Sequence, residues 1–173
     1  MVKILRAYIN VIDRFTKWQG MFFCWLIFPL VFSLCYEIIS RFFFNSPTIW
    51  VYDTTYMLFG SLCFLGGAYT LLVEGHVRVD FFYGSLSSKN RSIVEVINYI
   101  LFFFPMMSVC LYYGAVFFWQ SWIIKEHGSY GIWAPIIYPY RAIIPISILL
   151  LLLQGVAKFI NNILYIFNRG EKS

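Results

Sequence analysis

Charge is what this sequence has least of. Lys, Arg, Asp and Glu make up 12% of its 173 residues, against about 25% in an ordinary globular domain. So little charge cannot solvate a surface around a chain that is 61% hydrophobic and 22% aromatic, so a soluble domain is excluded. The same composition excludes a disordered chain, a collagen-like fibre and a disulfide-stapled secreted domain. Cysteine is sparse and unpaired in pattern: Cys24, Cys35, Cys63 and Cys110 lie within apolar stretches and form no CxxC pair. They read as packing residues, with neither redox chemistry nor a zinc site. The two histidines, His76 and His127, fall in connections on opposite sides of the membrane, whereas a b-type haem needs histidines that face one another at depth. Phosphate-cradling glycine loops, HExxH, GxSxG and the regular arginine run of a voltage sensor are also missing. The net charge of +5 would suggest nucleic acid in a soluble protein. Here the cations flank apolar segments and set membrane orientation, so no nucleic-acid partner is expected.

What is present is a series of long uncharged stretches, at 18–36, 54–73, 96–124 and 142–157. A helix needs about 20 apolar residues to cross roughly 30 Å of hydrocarbon. The first three qualify directly. The fourth is shorter, but it contains the run Ile148 to Leu153, and Arg141 and Lys158 can snorkel to opposite interfaces. The expected fold is therefore an all-α integral membrane protein, one four-span domain over 1–173, with transmembrane helices at about 18–43, 49–73, 92–123 and 140–164. Its third span is too long to stand perpendicular, so it tilts, projects or bends at Pro105; Pro29 and Pro145 are candidate bends in the first and fourth.

Orientation follows from the cations. Lys3, Arg6, Arg14, Lys17, Arg78, Lys89, Arg91, Lys158, Arg169 and Lys172 lie on one side of a four-span chain; Arg41, Lys125 and Arg141 lie on the other. Both termini are expected in the cytoplasm. The N-terminus is not expected to be a cleavable signal, because its apolar stretch is too long and no small-residue cleavage site comes after it. Residues 3–17 instead read as an N-terminal interfacial amphipathic helix, with Ile4, Leu5, Tyr8, Ile12 and Phe15 on one face and polar residues on the other. The alternative is simply the water-exposed start of span one.

Polar residues gather around the first outer turn. Glu37 and Arg41 are four apart and share a helix face. Ser46 followed by Pro47 reads as N-cap and N1 of span two. Asp53 should then return to the depth of Arg41, giving an Arg41-centred ionic cluster beside Trp50. It either clamps spans one and two together or touches a partner. Gly60, Cys63 and Gly67 form a small-residue face on span two that suits close helix approach, to span one or to another subunit. In the inner connection Glu74–Phe82, His76 and Asp80 read as part of an interfacial segment; no second ligand near His76 supports a proton relay or metal role. The outer connection 125–141, with Trp133 in an aromatic belt shared with Trp119 and Trp122, is the best exposed surface for a soluble partner.

The span interiors read as aliphatic and aromatic, with polar residues near the ends. Internal repeats, broken helices and midplane charges, the marks of a self-sufficient transporter, are not evident. A scaffold role fits better. Two other classes compete: a four-span redox or quinone-linked protein, which an absorption spectrum would reveal, and a small lone transporter, which uptake by vesicles holding this chain alone would reveal.

The run Arg41-Phe-Phe-Phe-Asn-Ser-Pro-Thr-Ile-Trp50-Val-Tyr-Asp53, then Gly66-Gly67-Ala68-Tyr69 and Gly75-His76-Val77-Arg78-Val79-Asp80, resembles the DctQ family. These are small membrane subunits of tripartite ATP-independent periplasmic (TRAP) transporters. The resemblance covers about residues 15–165. One departure is that the family commonly has Glu-Glu after the tryptophan, where this sequence has Tyr52-Asp53. The resemblance implies a non-catalytic subunit with no cofactor of its own. Its partners would be membrane lipid, a large multi-span subunit that moves substrate with sodium by an elevator motion, and a periplasmic substrate-binding protein that delivers an organic acid such as a sialic acid or a C4-dicarboxylate. The small subunit would enlarge the static scaffold and help dock the binding protein in the bacterial inner membrane. Glu37, Arg41, Ser46, Pro47, Trp50, Asp53, Gly60, Gly67, His76 and Asp80 are the structural or interface candidates.

Overall fold

The computed structural model describes residues 2–73, 88–128 and 133–170. Its elements are α1 (Val2–Cys24), α2 (Ile27–Phe43), α3 (Val51–Leu72), α4 (Ser88–Asn98), a π-turn (Tyr99–Phe103), α5 (Phe104–Ile123), the short α6 (Tyr138–Arg141) and α7 (Ile143–Gly170). Among the described residues four stretches are long and apolar enough to span a bilayer: Val2–Phe43, Val51–Leu72, Ser92–Ile123 and Tyr138–Phe167.

Proline explains where these stretches break. Its nitrogen carries no hydrogen, so the carbonyl four residues earlier loses its helical donor. Pro29 releases Trp25, and α1 gives way to α2 at Trp25–Leu26, where Phe28 N–H turns to the Trp25 carbonyl at 3.2 Å. Pro145 releases Arg141, and the chain steps from α6 to α7 there, with Ala142 N–H on the Pro139 carbonyl at 3.2 Å. Pro105 releases Leu101, which sits inside the π-turn, and Phe104 N–H reaches back five residues to Tyr99. The first helix thus passes unbroken through residues 17 and 18, where a boundary was expected, because nothing there removes a donor. The discontinuity comes instead at Trp25–Leu26.

α3 and α7 form the centre. α3 packs on α1, α2 and α7, while α7 also meets α1, α4, α5 and α6. Among the described residues the buried set is mostly small or polar: Thr16, Gln19, Ser33, Asp53, Ser61, Ser92, Ser121, Ser147 and Gln154 beside Val51, Leu65, Ala68, Leu71, Ile137 and Ala157. Phe, Trp, Ile and Leu dominate the exposed side chains. In lipid no hydrophobic force draws Leu inward, so close packing of small groups and internal hydrogen bonds decide what is buried. Glycine marks two close approaches. A Cβ at Gly20 would collide with the Tyr69 ring, joining α1 to α3, and one at Gly155 would collide with Phe103, joining α7 to the π-turn.

Candidate functional site

The first connection folds as a knot on the end of α2. Asn45, at φ 48°, takes the left-handed conformation that Asn tolerates and ends the helix. The chain then doubles back. Ser46 N–H bonds the Ser40 carbonyl at 3.1 Å, and Ser40 Oγ donates to the Ser46 carbonyl. Glu37 is the hub: one carboxylate oxygen accepts Arg41 Nη2 at 2.7 Å and Nε at 3.1 Å, the other accepts Thr48 N–H at 3.0 Å and the Thr48 hydroxyl. Trp50 lies against Tyr36, ring centroids 5.8 Å apart.

Two expectations fail here for one reason. Ser46 and Pro47 do not cap span two; its helix starts at Val51 behind Trp50, which makes no side-chain cap. Residues 46–48 are instead bound to α2, so the chain has to clear that helix end before it can turn. Asp53 consequently falls in the first turn of α3, where the helix dipole favours a carboxylate. It is buried, 3% exposed, and its Oδ2 has no hydrogen-bond partner among the described residues. Arg41 pairs with Glu37, not with Asp53, and its side chain is 61% exposed.

The connection 125–141 is closed by an ion pair that was not foreseen from the sequence. Arg141 at the end of α6 bonds Glu126, and its guanidinium lies 4.0 Å from the centroid of Phe117 on α5. Gly128 N–H to the Pro135 carbonyl (2.8 Å) and Ile137 N–H to the Glu126 carbonyl (3.1 Å) zip the two strands of the loop beside the His127–Ile136 bridge. A Cβ at Gly128 would lie 2.9 Å from Pro135 Cδ, so glycine permits that closure. Tyr140 ties this connection to α3: its ring sits 6.0 Å from Tyr56, and its hydroxyl occupies the space beside Gly60. Both connections therefore share one end of the bundle. Of the expected small-residue face, Gly60 is used within the chain, whereas Gly67 has nothing within 4 Å of its Cβ position. His76 and Asp80 lie outside the described residues.

Nearer the other end is a polar lock that corrects the expectation of aliphatic and aromatic span interiors. Gln154 is 1% exposed and lies about 20 Å along the fourth span from Arg141. It accepts the Thr16 hydroxyl at 2.8 Å and donates to Asp13 at 2.7 Å. One turn on, Gln19 donates to the Leu65 carbonyl at 2.7 Å, and its buried Oε1 has no partner among the described residues. α1, α3 and α7 are thereby joined into one body. The readable signal was Gln154 interrupting an apolar run, together with Asp13 and Thr16 one helical turn apart. Among the described residues no group of His, Cys, Asp or Glu is placed to hold a metal ion.

Comparison with known proteins accords with this architecture. The family model described as the DctQ component of tripartite ATP-independent periplasmic transporters matches residues 30–164. The chain is also similar to the sialic acid TRAP transporter small permease protein SiaQ of Vibrio cholerae, 29% identical over 90 residues. That match takes in 52% of this chain and 49% of the relative, so the chain spans about half the length of the curated relative it matches. Two connections knotted at one end, a polar lock towards the other and four spanning helices between them are the structural form here of a sequence matched over most of its length, and the chain belongs to the DctQ family of TRAP transporter components.

Proposed function

We propose that the chain is the small, static membrane subunit of a TRAP transporter, enlarging the scaffold against which the large multi-span subunit moves, and that it performs no catalysis of its own. The observation that carries this is the polar lock. An elevator domain moves only relative to something rigid, and bonds joining α1, α3 and α7 oppose sliding of the spans past one another. Sodium belongs to the large subunit in this reading. The cation asymmetry supports cytoplasmic termini, with Lys3, Arg6, Arg14 and Lys17 on the amphipathic start of α1 at the inner surface of the bacterial inner membrane. The end bearing both closed connections then faces the periplasm. Its shape is set in advance by Glu37–Thr48 and Arg141–Glu126, as suits docking of a substrate-binding protein. An organic acid is the cargo, and the name of the Vibrio cholerae relative favours sialic acid.

The test is gentle-detergent purification of the tagged chain from its native membranes, with mass spectrometry of the proteins that co-purify. A stoichiometric large TRAP membrane subunit is expected, and sodium-dependent uptake by the reconstituted pair with its binding protein. Purification as a lone chain or homo-oligomer would end this reading.

A further inference from the structure

α1 carries two unlike edges on the side it turns away from the bundle. Thr16, Gln19 and Gly20 hold its inward side to α7 and α3. At about 100° per residue, Lys3, Arg6, Arg14 and Lys17 fall within an arc of about 80° on the far side. Asn10 lies among them, and all five are exposed. Ile4, Val11, Phe15 and Trp18 fill the neighbouring arc, about 60° wide. They too are exposed, Ile4 at 75% and Val11 at 66%. Neither solvent suits both edges: hydrocarbon would strand the cations, and water the apolar side chains. The boundary between the two serves both, with phosphates along one edge and acyl chains along the other.

The chain can place α1 there. Val2–Phe43 runs 42 residues, about 63 Å if straight, against a hydrocarbon layer of about 30 Å. α2 alone covers about 25 Å of that layer, and the joint at Trp25–Leu26 lets α1 incline to it. Gln19 and Gly20 meet Leu65 and Tyr69 in the last two turns of α3, so the cations, all nearer the N-terminus, lie toward the end of the bundle away from the two closed connections. Their edge also lacks a counter-charge. Asp13, the one acid on α1, accepts from Gln154, and none of the four cations is paired with an acid among the described residues. Four such cations over about 21 Å of helix complement a row of anionic headgroups. A zwitterionic headgroup brings its own cation and complements them less. A soluble polyanion would match the cations and leave the apolar edge in water.

We propose that α1 is a binding site for anionic phospholipid, seating phosphates against Lys3, Arg6, Arg14 and Lys17 and acyl chains along Ile4, Val11, Phe15 and Trp18. The inference goes beyond the small-subunit reading and stands or falls independently of it.

The experiment titrates the purified full chain in mild detergent with phosphatidylglycerol or with phosphatidylcholine of the same acyl chains, and reads bound lipid by native mass spectrometry. Phosphatidylglycerol should bind the more tightly. Arg14→Gln combined with Lys17→Gln should weaken phosphatidylglycerol binding about tenfold or more, and leave phosphatidylcholine binding unchanged. Lys125→Gln, at the opposite end of the bundle, should change neither. The melting midpoint in lipid-free detergent shows whether the double variant is folded; if it is not, Lys3→Gln with Arg6→Gln, on the first turns of α1, takes its place with the same expected loss. Equal binding of the two lipids by the wild-type chain would overturn the proposal. So would a folded α1 variant that binds phosphatidylglycerol as tightly as the wild type.

Discussion

Gln154→Leu tests the polar lock most directly. Leucine keeps much of the volume and suits a membrane span, so hydropathy alone would count the change as an improvement. The structure argues the reverse. Gln154 makes two bonds at 2.7 and 2.8 Å, and its loss strands the Thr16 hydroxyl and an Asp13 oxygen. Hydrogen bonds between membrane helices average about 0.6 kcal/mol with a maximum near 1.7, so two of them amount to about 1–3 kcal/mol. For a chain of this length that is a fall of roughly 2–10 °C in melting midpoint. The assay is thermal unfolding of the purified chain in mild detergent, run as a double-mutant cycle with Thr16→Val. If the bond exists, the double variant loses less than the sum of the single losses, by at least a few tenths of a kcal/mol. Strict additivity, or a Gln154→Leu variant as stable as the parent, would refute the lock and remove the main support for a rigid static subunit.

Gly20→Ala should destabilise the chain by about 1–3 kcal/mol, because the new methyl meets the Tyr69 ring. Gly67→Ala, with open space around it, should be neutral or stabilise by up to about 1 kcal/mol; melting curves of the two variants separate these outcomes. Arg141→Gln removes both the Glu126 pair and the contact with Phe117, so amide exchange across 126–137 should accelerate while α3 is unaffected. In the first connection Thr48→Val should open residues 44–50 to exchange more than Arg41→Ala does. Glu37 and Arg41 stand on the same helix, and among the described residues only Thr48 joins that carboxylate to the returning chain, through its N–H, which valine keeps, and its hydroxyl, which valine lacks.

The spans were legible because charge and hydropathy are local properties: the uncharged gaps coincide with the four long apolar stretches to within a residue at the ends they overrun. The Glu37–Arg41 pair was legible for the same reason, since helical spacing places them side by side. The helix start at Val51 was not. Ser46-Pro47 has the chemistry of a cap, but Asn45 in the left-handed region and the Ser40–Ser46 bonds claim those residues for the preceding helix. Gln154 was overlooked because its partners lie 138 and 141 residues away, and a lone glutamine beside five leucines carries no hint of which helix it will meet. The Glu126–Arg141 pair spans a loop whose path depends on Gly128 and Pro135 meeting, which spacing does not disclose.

The proline breaks bear on how the protein sits in membranes of different thickness. A straight helix longer than the hydrocarbon layer has to tilt as one rod or deform the lipid around it, at a cost for every ångström of mismatch. Here three of the four spanning stretches are jointed, at Trp25–Leu26, at the π-turn and at Ala142, so the segments on either side of each joint can take their own inclination. Only α3, the shortest span and the one gripped by α1, α2 and α7, lacks such a joint. Length mismatch is then absorbed at the joints, that of the central α7 lying at the very end of its span, while α3 keeps a fixed height. A change in acyl-chain length would re-angle the jointed segments before it disturbed the packing on α3.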